Sequence, residues 1–145
     1  MTTISRTLGP DAESSAGNNL RDKTVLCADD DEDQLTARRM LLESAGVKVL
    51  TAKSGQEALE LFEKAGAVDA VVLDYYMPGM KGLSVAREIK RLRSNVPIVV
   101  LSGFAALPDE TIGVIDRWLQ KRDVTELLGE LEQLMQQKTV GRPGT

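Results

Sequence analysis

Acidic residues follow two apolar runs of the sequence at the point where each run ends. Asp29, Asp30 and Asp31 come directly after the run TVLCA, and Asp74 closes the run AVVLD. A carboxylate beside a buried strand loses much of its hydration, so a nearby cation or a chemical task should compensate it. Taken alone, the first three acids could simply favour a helix N-terminus, and Asp74 could simply begin a polar loop.

A hydroxyl and a lysine end two further strand-like runs. The run PIVVLS ends at Ser102, and RWLQK ends at Lys121. If all these runs are parallel strands of one sheet, their carboxyl ends meet at one edge, where such sheets bind ligands. Two carboxylates about 4 Å apart repel by roughly 4 kcal/mol at an effective dielectric of about 20, so acids gathered there need a cation. Oxygen ligands favour Mg²⁺, and Lys121 and Ser102 could then hold phosphate oxygens.

The composition excludes several classes of site. Of 145 residues none is histidine and one, Cys27, is cysteine, so Cys–His zinc sites, Ser-His-Asp and Cys-His catalysis and an internal disulfide are excluded. A net charge of -4 without a long basic run argues against nucleic acid as a partner. The sequence also lacks a long apolar run and the apolar centre of a signal peptide. We therefore expect a cytoplasmic protein that does not contact a membrane.

Strand-like runs alternate with helical patterns along most of the sequence. The strand runs are continuously apolar, which is typical of parallel strands covered by helices on both faces. The fold class is therefore α/β, a doubly wound five-stranded parallel sheet with helices on both faces. The helices are expected at residues 34–45, 54–65, 83–92, 109–115 and from Asp123 onward. We expect a disordered N-terminal tail at residues 1–21, one domain at 22–138 and a disordered C-terminal tail at 139–145.

These motifs together resemble the receiver domain of two-component response regulators, the CheY-like group among flavodoxin-like folds. The resemblance covers the chain from about Thr24 to Gln137. It is carried by the paired acids, by LDYYMPGMKG around Asp74, by VVLSG around Ser102, and by a late lysine before an amphipathic helix. The order and the approximate spacing of these motifs match those of the family.

For the metal, the resemblance implies a Mg²⁺ cofactor at the acidic edge. Asp30 would bind Mg²⁺ directly, and Asp29 would act mainly through a metal-bound water. Asp74, the implied phosphoacceptor, and the backbone carbonyl of Tyr76 would complete the protein ligands. The metal would neutralise the charge of the incoming phosphoryl group, which explains a nucleophilic carboxylate at this position.

For switching, the resemblance implies that Ser102 moves toward the new phosphoryl group and that Lys121 pairs with it. Trp118 matches the aromatic position that turns inward on activation. The chain departs from the family pattern after the lysine, where Arg122 stands in place of a proline that is preceded by a cis bond. A non-proline cis bond costs about 2.5–4 kcal/mol, so we expect a trans bond here.

The leading interpretation is a single-domain response regulator that takes a phosphoryl group from a partner histidine kinase or phosphotransfer protein and then acts on a downstream protein. Separate substrate turnover is not expected. One alternative is a pseudo-receiver, a binding module that keeps the fold without using phosphorylation. Another is a haloacid-dehalogenase-like phosphatase, since Asp29 and Asp31 have the spacing of that family's paired acids. That family generally has Thr or Val where this chain has Asp33.

Overall fold

The computed structural model describes residues 20–103, 113–121 and 126–144, with side chains described as far as residue 136. The strands are β1 Thr24–Ala28, β2 Lys48–Ala52, β3 Ala70–Asp74, β4 Ile98–Ser102 and β5 Arg117–Gln120. The helices are α1 Glu32–Ser44, α2 Gly55–Ala65, α3 Gly82–Leu92 and α4 Leu127–Gly144. All strand pairs are parallel, in the order β2-β1-β3-β4-β5. The structure thus confirms the predicted doubly wound sheet.

The centre of the sheet is buried on both faces, whereas the outer strands β2 and β5 are partly exposed. Every residue of β3 and β4 is buried, and successive residues point into opposite layers. One layer packs beneath α2 and α3 around Phe62 and Ile89, and the other packs beneath α1 and α4 around Leu42 and Leu131. This two-sided burial explains why the runs of β3 and β4 are continuously apolar instead of alternating.

The ends of the domain differ in part from the sequence-based expectation. Leu20 lies in the expected N-terminal tail, yet it is 2 % exposed and packs in the α1–α4 layer. The N–H of Asp22 also donates to the carbonyl of Gly46 at 2.8 Å. The expected N-terminal tail at 1–21 therefore includes residues that belong to the folded domain. A single buried leucine produces no periodic pattern, so the sequence alone does not indicate its burial. Helix α4 continues past residue 138, and the domain limits of 22–138 otherwise stay a prediction.

Three expectations fall on residues outside the described ranges. The predicted short helix at 109–115 lies mostly there, and its last residues, 113–115, form a turn followed by a bridge. The bond between Lys121 and Arg122 and the expected cap Asp123 also lie outside. No helix in the described ranges combines the length and the apolar composition that are needed to cross a bilayer.

Gly82 begins α3 in close contact with the end of β3. A Cβ at this position would lie 2.5 Å from the carbonyl oxygen of Asp74 and 3.0 Å from the Cα of Tyr75. The N–H of Gly82 donates to the carbonyl of Tyr75 at 2.8 Å, which closes the loop at residues 75–81. The absence of a side chain at Gly82 therefore lets α3 hold this loop in place.

Asp116 connects the edge strand β5 to its neighbours. Its Oδ2 accepts the N–H of Ile98 at 2.7 Å and the Nζ of Lys90 at 3.0 Å. Lys90 also donates to the carbonyl of Val96 at 2.9 Å. These bonds connect β5 to β4 and α3. They hold β5 in the position from which Lys121, directly after it, reaches the edge of the sheet.

Candidate functional site

The three consecutive acids in the turn after β1 have different environments. Asp29 is fully buried, and its Oδ1 accepts the N–H of Asp31 at 2.8 Å. Asp30 is exposed at the mouth of the site. Asp31 caps α1, since its Oδ1 accepts the N–H groups of Asp33 and Gln34 at 3.0 and 3.3 Å. The side chain of Asp31 is thus engaged in a helix cap, and this engagement disfavours the phosphatase alternative, in which it would be a catalytic acid.

Asp29, Asp30 and Asp74 form the acidic cluster predicted from the sequence. Each offers a carboxylate oxygen, and these atoms lie within 4.8 Å of one another. Asp29 and Asp74 are buried, so water screens their charges poorly. The Oδ2 of Asp29 is fully enclosed and accepts no aligned hydrogen bond. Three carboxylates this close together, two of them buried, fit a hard divalent cation such as Mg²⁺.

Lys121 reaches into the cluster from the end of β5. Its Nζ donates to Oδ2 of Asp74 at 2.7 Å and lies 3.7 Å from Oδ2 of Asp29. Burial raises the pKa of the Asp74 carboxyl above 3.8 and outweighs the opposing hydrogen bond from Lys121. Partial desolvation acts to lower the pKa of Lys121, but the bond and charge of Asp74 outweigh it and raise that pKa. Lys121 is therefore a fixed positive charge at neutral pH, and it favours the ionised form of Asp74.

The other predicted residues lie around this cluster. Ser102 is buried at the end of β4, and its carbonyl accepts the N–H of Lys121 at 2.8 Å. The N–H of Tyr76 donates to Oδ1 of Asp74 at 3.4 Å, while its ring is 49 % exposed. Trp118 is partly buried against the layer beneath α2 and α3. The sheet edge thus gathers Ser102, Tyr76 and Lys121 with the acids, whereas Trp118 packs farther down β5.

Arg38 is a site residue that the sequence analysis missed. It lies on the inner face of α1, 2 % exposed, with Nη1 2.6 Å from Oδ2 of Asp29. Its Nη2 donates to Oε1 of Gln34 at 2.9 Å. The buried positions of α1 are Leu35, Arg38 and Leu42, which share one helical face. An arginine on that face, in the first helix after the acids, is the signal that could have identified it.

Comparison with known proteins shows that the residues that form most of the sheet match one protein family. The model of the response regulator receiver domain matches residues 25–117. The autoinducer 1 sensor kinase/phosphatase LuxN of Vibrio campbellii is 42% identical over 85 residues, which are 59% of this chain and 10% of LuxN. The transcriptional regulatory protein PrrA of Mycobacterium bovis is 34% identical over 118 residues, 79% of this chain and 50% of PrrA. The chain therefore spans a tenth to a half of the length of these curated relatives.

A solved structure gives the same result at the level of the fold. The response regulator protein TrrA of Thermotoga maritima, crystallised in complex with Mg²⁺ and BeF, has a TM-score of 0.70 and 30% identity. The match covers 77% of this chain and 98% of that one. The family model, the strand order and the acids at the carboxyl edge of the sheet agree, and the chain belongs to the response regulator receiver domain family.

Proposed function

We propose that this chain is a Mg²⁺-dependent phosphoaspartate switch in which Asp74 accepts a phosphoryl group from a histidine kinase or phosphotransfer protein. The observation that carries the proposal is the position of Asp74. It is buried at the end of β3, within 4.8 Å of carboxylate oxygens of Asp29 and Asp30, and 2.7 Å from Nζ of Lys121. A buried nucleophile between a cation-binding cluster and a fixed ammonium suits transfer of a dianionic phosphoryl group.

The transfer needs little chemistry from the protein beyond position and charge. A carboxylate oxygen of Asp74 attacks the phosphorus of a phosphohistidine, the P–N bond breaks, and the imidazole keeps the electron pair. Mg²⁺, when bound, supplies positive charge to the phosphoryl oxygens. Asp30 is proposed to bind the metal directly, Asp29 through a water, and the carbonyl of Tyr76 as a further ligand. Asp74 itself completes this ligand set.

After transfer, two residues are proposed to bind the phosphoryl oxygens. Lys121 already contacts Asp74, so it can pair with the new charge by a small movement of its ammonium group. Ser102 is proposed to move its hydroxyl toward the phosphoryl group. That movement would open space beside β5 for Trp118 to turn inward, which shifts the population toward the active form.

The wider role is also part of the proposal. We propose a cytoplasmic response regulator that acts on a downstream protein and turns over no separate substrate. The similarity to LuxN, a sensor kinase/phosphatase, and to PrrA, a transcriptional regulatory protein, supports a place in histidine–aspartate signalling. The net charge of -4 supports a protein partner over a nucleic acid.

The test is phosphorylation by acetyl phosphate with Mg²⁺, followed by intact mass. The wild-type chain should gain one phosphoryl group, and Asp74→Asn should gain none. Asp33→Asn is the matched control, because Asp33 is exposed on α1 and loses the same charge. Addition of chelator should abolish the mass gain of the wild type. If Asp74→Asn still gains one phosphoryl group, Asp74 is not the acceptor and the proposal fails.

A further inference from the structure

The proposed mechanism leaves one buried charge of the site without a role. Arg38 is 2 % exposed on the inner face of α1, and its guanidinium lies 2.6 Å from Oδ2 of Asp29, the oxygen that also lies 3.7 Å from Nζ of Lys121. Burial of a guanidinium is costly without a carboxylate beside it. Asp29 is therefore the counter-ion of Arg38, and it is also a proposed contact of the metal-bound water.

The geometry of this ion pair is not that of a simple structural salt bridge. Neither Nη1 nor Nε of Arg38 makes an aligned hydrogen bond, and Oδ2 of Asp29 accepts none. The guanidinium is held from its other side, where Nη2 donates to Oε1 of Gln34. The contact with Asp29 therefore rests mainly on charge, and a metal ion or metal-bound water that approached Oδ2 would compete with the guanidinium for it.

The charges around the cluster show what Arg38 changes. Asp29, Asp30 and Asp74 bring three negative charges, and Lys121 and Arg38 bring two positive ones. Without Arg38 the same groups would carry a net charge of -2 instead of -1. Since Arg38, Asp29 and Asp74 are buried, this difference acts on a divalent cation with little screening.

We propose that Arg38 is an internal counter-ion that competes with Mg²⁺ for Asp29 and so weakens Mg²⁺ binding to this receiver domain. Arg38 would hold Asp29 in place while the metal is absent, and it would set the Mg²⁺ concentration at which Asp74 can be phosphorylated. The inference rests on the proposed Mg²⁺ site. Arg38 is a positioning residue in this scheme, since it acts on the metal through Asp29.

The test is calorimetric titration of the full chain with MgCl₂ at fixed ionic strength. Arg38→Met, which removes the charge and keeps much of the length, should bind Mg²⁺ about tenfold more tightly or better. Arg38→Lys keeps the charge and should stay within about threefold of the wild type. Arg39→Met is the matched control, because Arg39 is exposed one residue further on and its charge is screened by water. It should bind Mg²⁺ like the wild type.

The phosphorylation assay gives a second measurement of the same effect. The Mg²⁺ concentration that gives half-maximal labelling by acetyl phosphate should fall in Arg38→Met by the same factor as the dissociation constant. If Arg38→Met does not fold without metal, Arg38→Gln is measured against the same criterion. Circular dichroism of each variant confirms that the fold is retained.

The outcomes separate this inference from the proposed function. Mg²⁺ binding that is equal in the wild type and the neutral Arg38 variant overturns the inference, and so does an Arg38→Lys chain that binds as tightly as Arg38→Met. Absence of Mg²⁺ binding in every variant overturns it as well. Mg²⁺ binding with the expected dependence on Arg38, but without phosphorylation of Asp74, supports the inference and refutes the proposed function.

Discussion

Replacing Gly82 with alanine would place a methyl group against the backbone that carries the proposed phosphoacceptor. The new Cβ would lie 2.5 Å from the carbonyl oxygen of Asp74 and 3.0 Å from the Cα of Tyr75. Ordinary contacts of a Cβ begin at 3.4 Å, so β3 and α3 must separate by about 1 Å. Neither atom belongs to a flexible side chain, and the displacement therefore falls on the backbone of the site.

The expected cost follows from this overpacking. Inserting a methyl group into a well-packed region costs about 1–3 kcal/mol, and a backbone clash belongs in the upper half of that range. For a chain of 145 residues, each 1 kcal/mol shifts the midpoint of thermal unfolding by about 2–4 °C. Gly82→Ala should therefore melt about 5–10 °C below the wild type. It should also label more slowly with acetyl phosphate, because the displaced carbonyl belongs to Asp74.

Thermal unfolding by circular dichroism measures the effect, with Gly129→Ala as the matched control. Gly129 is exposed within α4, and a Cβ there meets no atom within 4 Å. Alanine in a helix is about 0.5–1 kcal/mol more favourable than glycine, so this control should melt slightly above the wild type. A Gly82→Ala chain that melts within about 1 °C of the wild type and labels at the same rate would refute the reasoning.

Three further predictions concern other parts of the sheet. Burial raises the pKa of Cys27 from 9.0 to about 12, so the folded chain keeps the thiol protonated where the unfolded chain loses its proton. Stability to urea should fall by up to about 1.4 kcal/mol per pH unit above pH 9, and Cys27→Ala should lack this additional loss. Asp116→Ala should cost about 1–3 kcal/mol in urea unfolding, because the N–H of Ile98 loses its acceptor, while Asp116→Asn should cost less; equal losses would contradict this. Full phosphorylation should change the fluorescence emission of Trp118, and an unchanged spectrum would argue against the proposed switch.

Hydrophobic pattern was sufficient to predict the five strands, because those at the centre of the sheet are buried on both faces. Continuous apolar runs placed β3 correctly, and the amphipathic helix predicted from Asp123 onward agrees with α4, which buries Leu127, Leu131 and Leu134. Parallel pairing then brought the acids to one edge, as the connection rules require. Leu20 could not be predicted in this way, since one leucine in a polar segment shows no period. Its burial comes from contacts made only in three dimensions.

Arg38 shows a different limit of sequence-based reasoning. Its position matches the inner face of α1, but charged residues are depleted from buried faces, so a search for apolar residues at helical spacing passes over it. The compensation comes from Asp29, which belongs to another element. Whether a carboxylate lies opposite depends on the packing of α1 against β1, and local sequence does not report that distance.

The complete burial of β3 and β4 has an evolutionary consequence. A polar substitution in either strand meets a packed core on both sides, so these ten positions have little freedom to vary. The outer face of α2 has far more freedom to vary, because Gln56, Glu60 and Glu63 are exposed to solvent. Duplicated copies of this domain could therefore acquire different outer surfaces while their interiors stay alike. For protein engineering, residues on the outer helix faces can be substituted without changing the chemistry at the sheet edge.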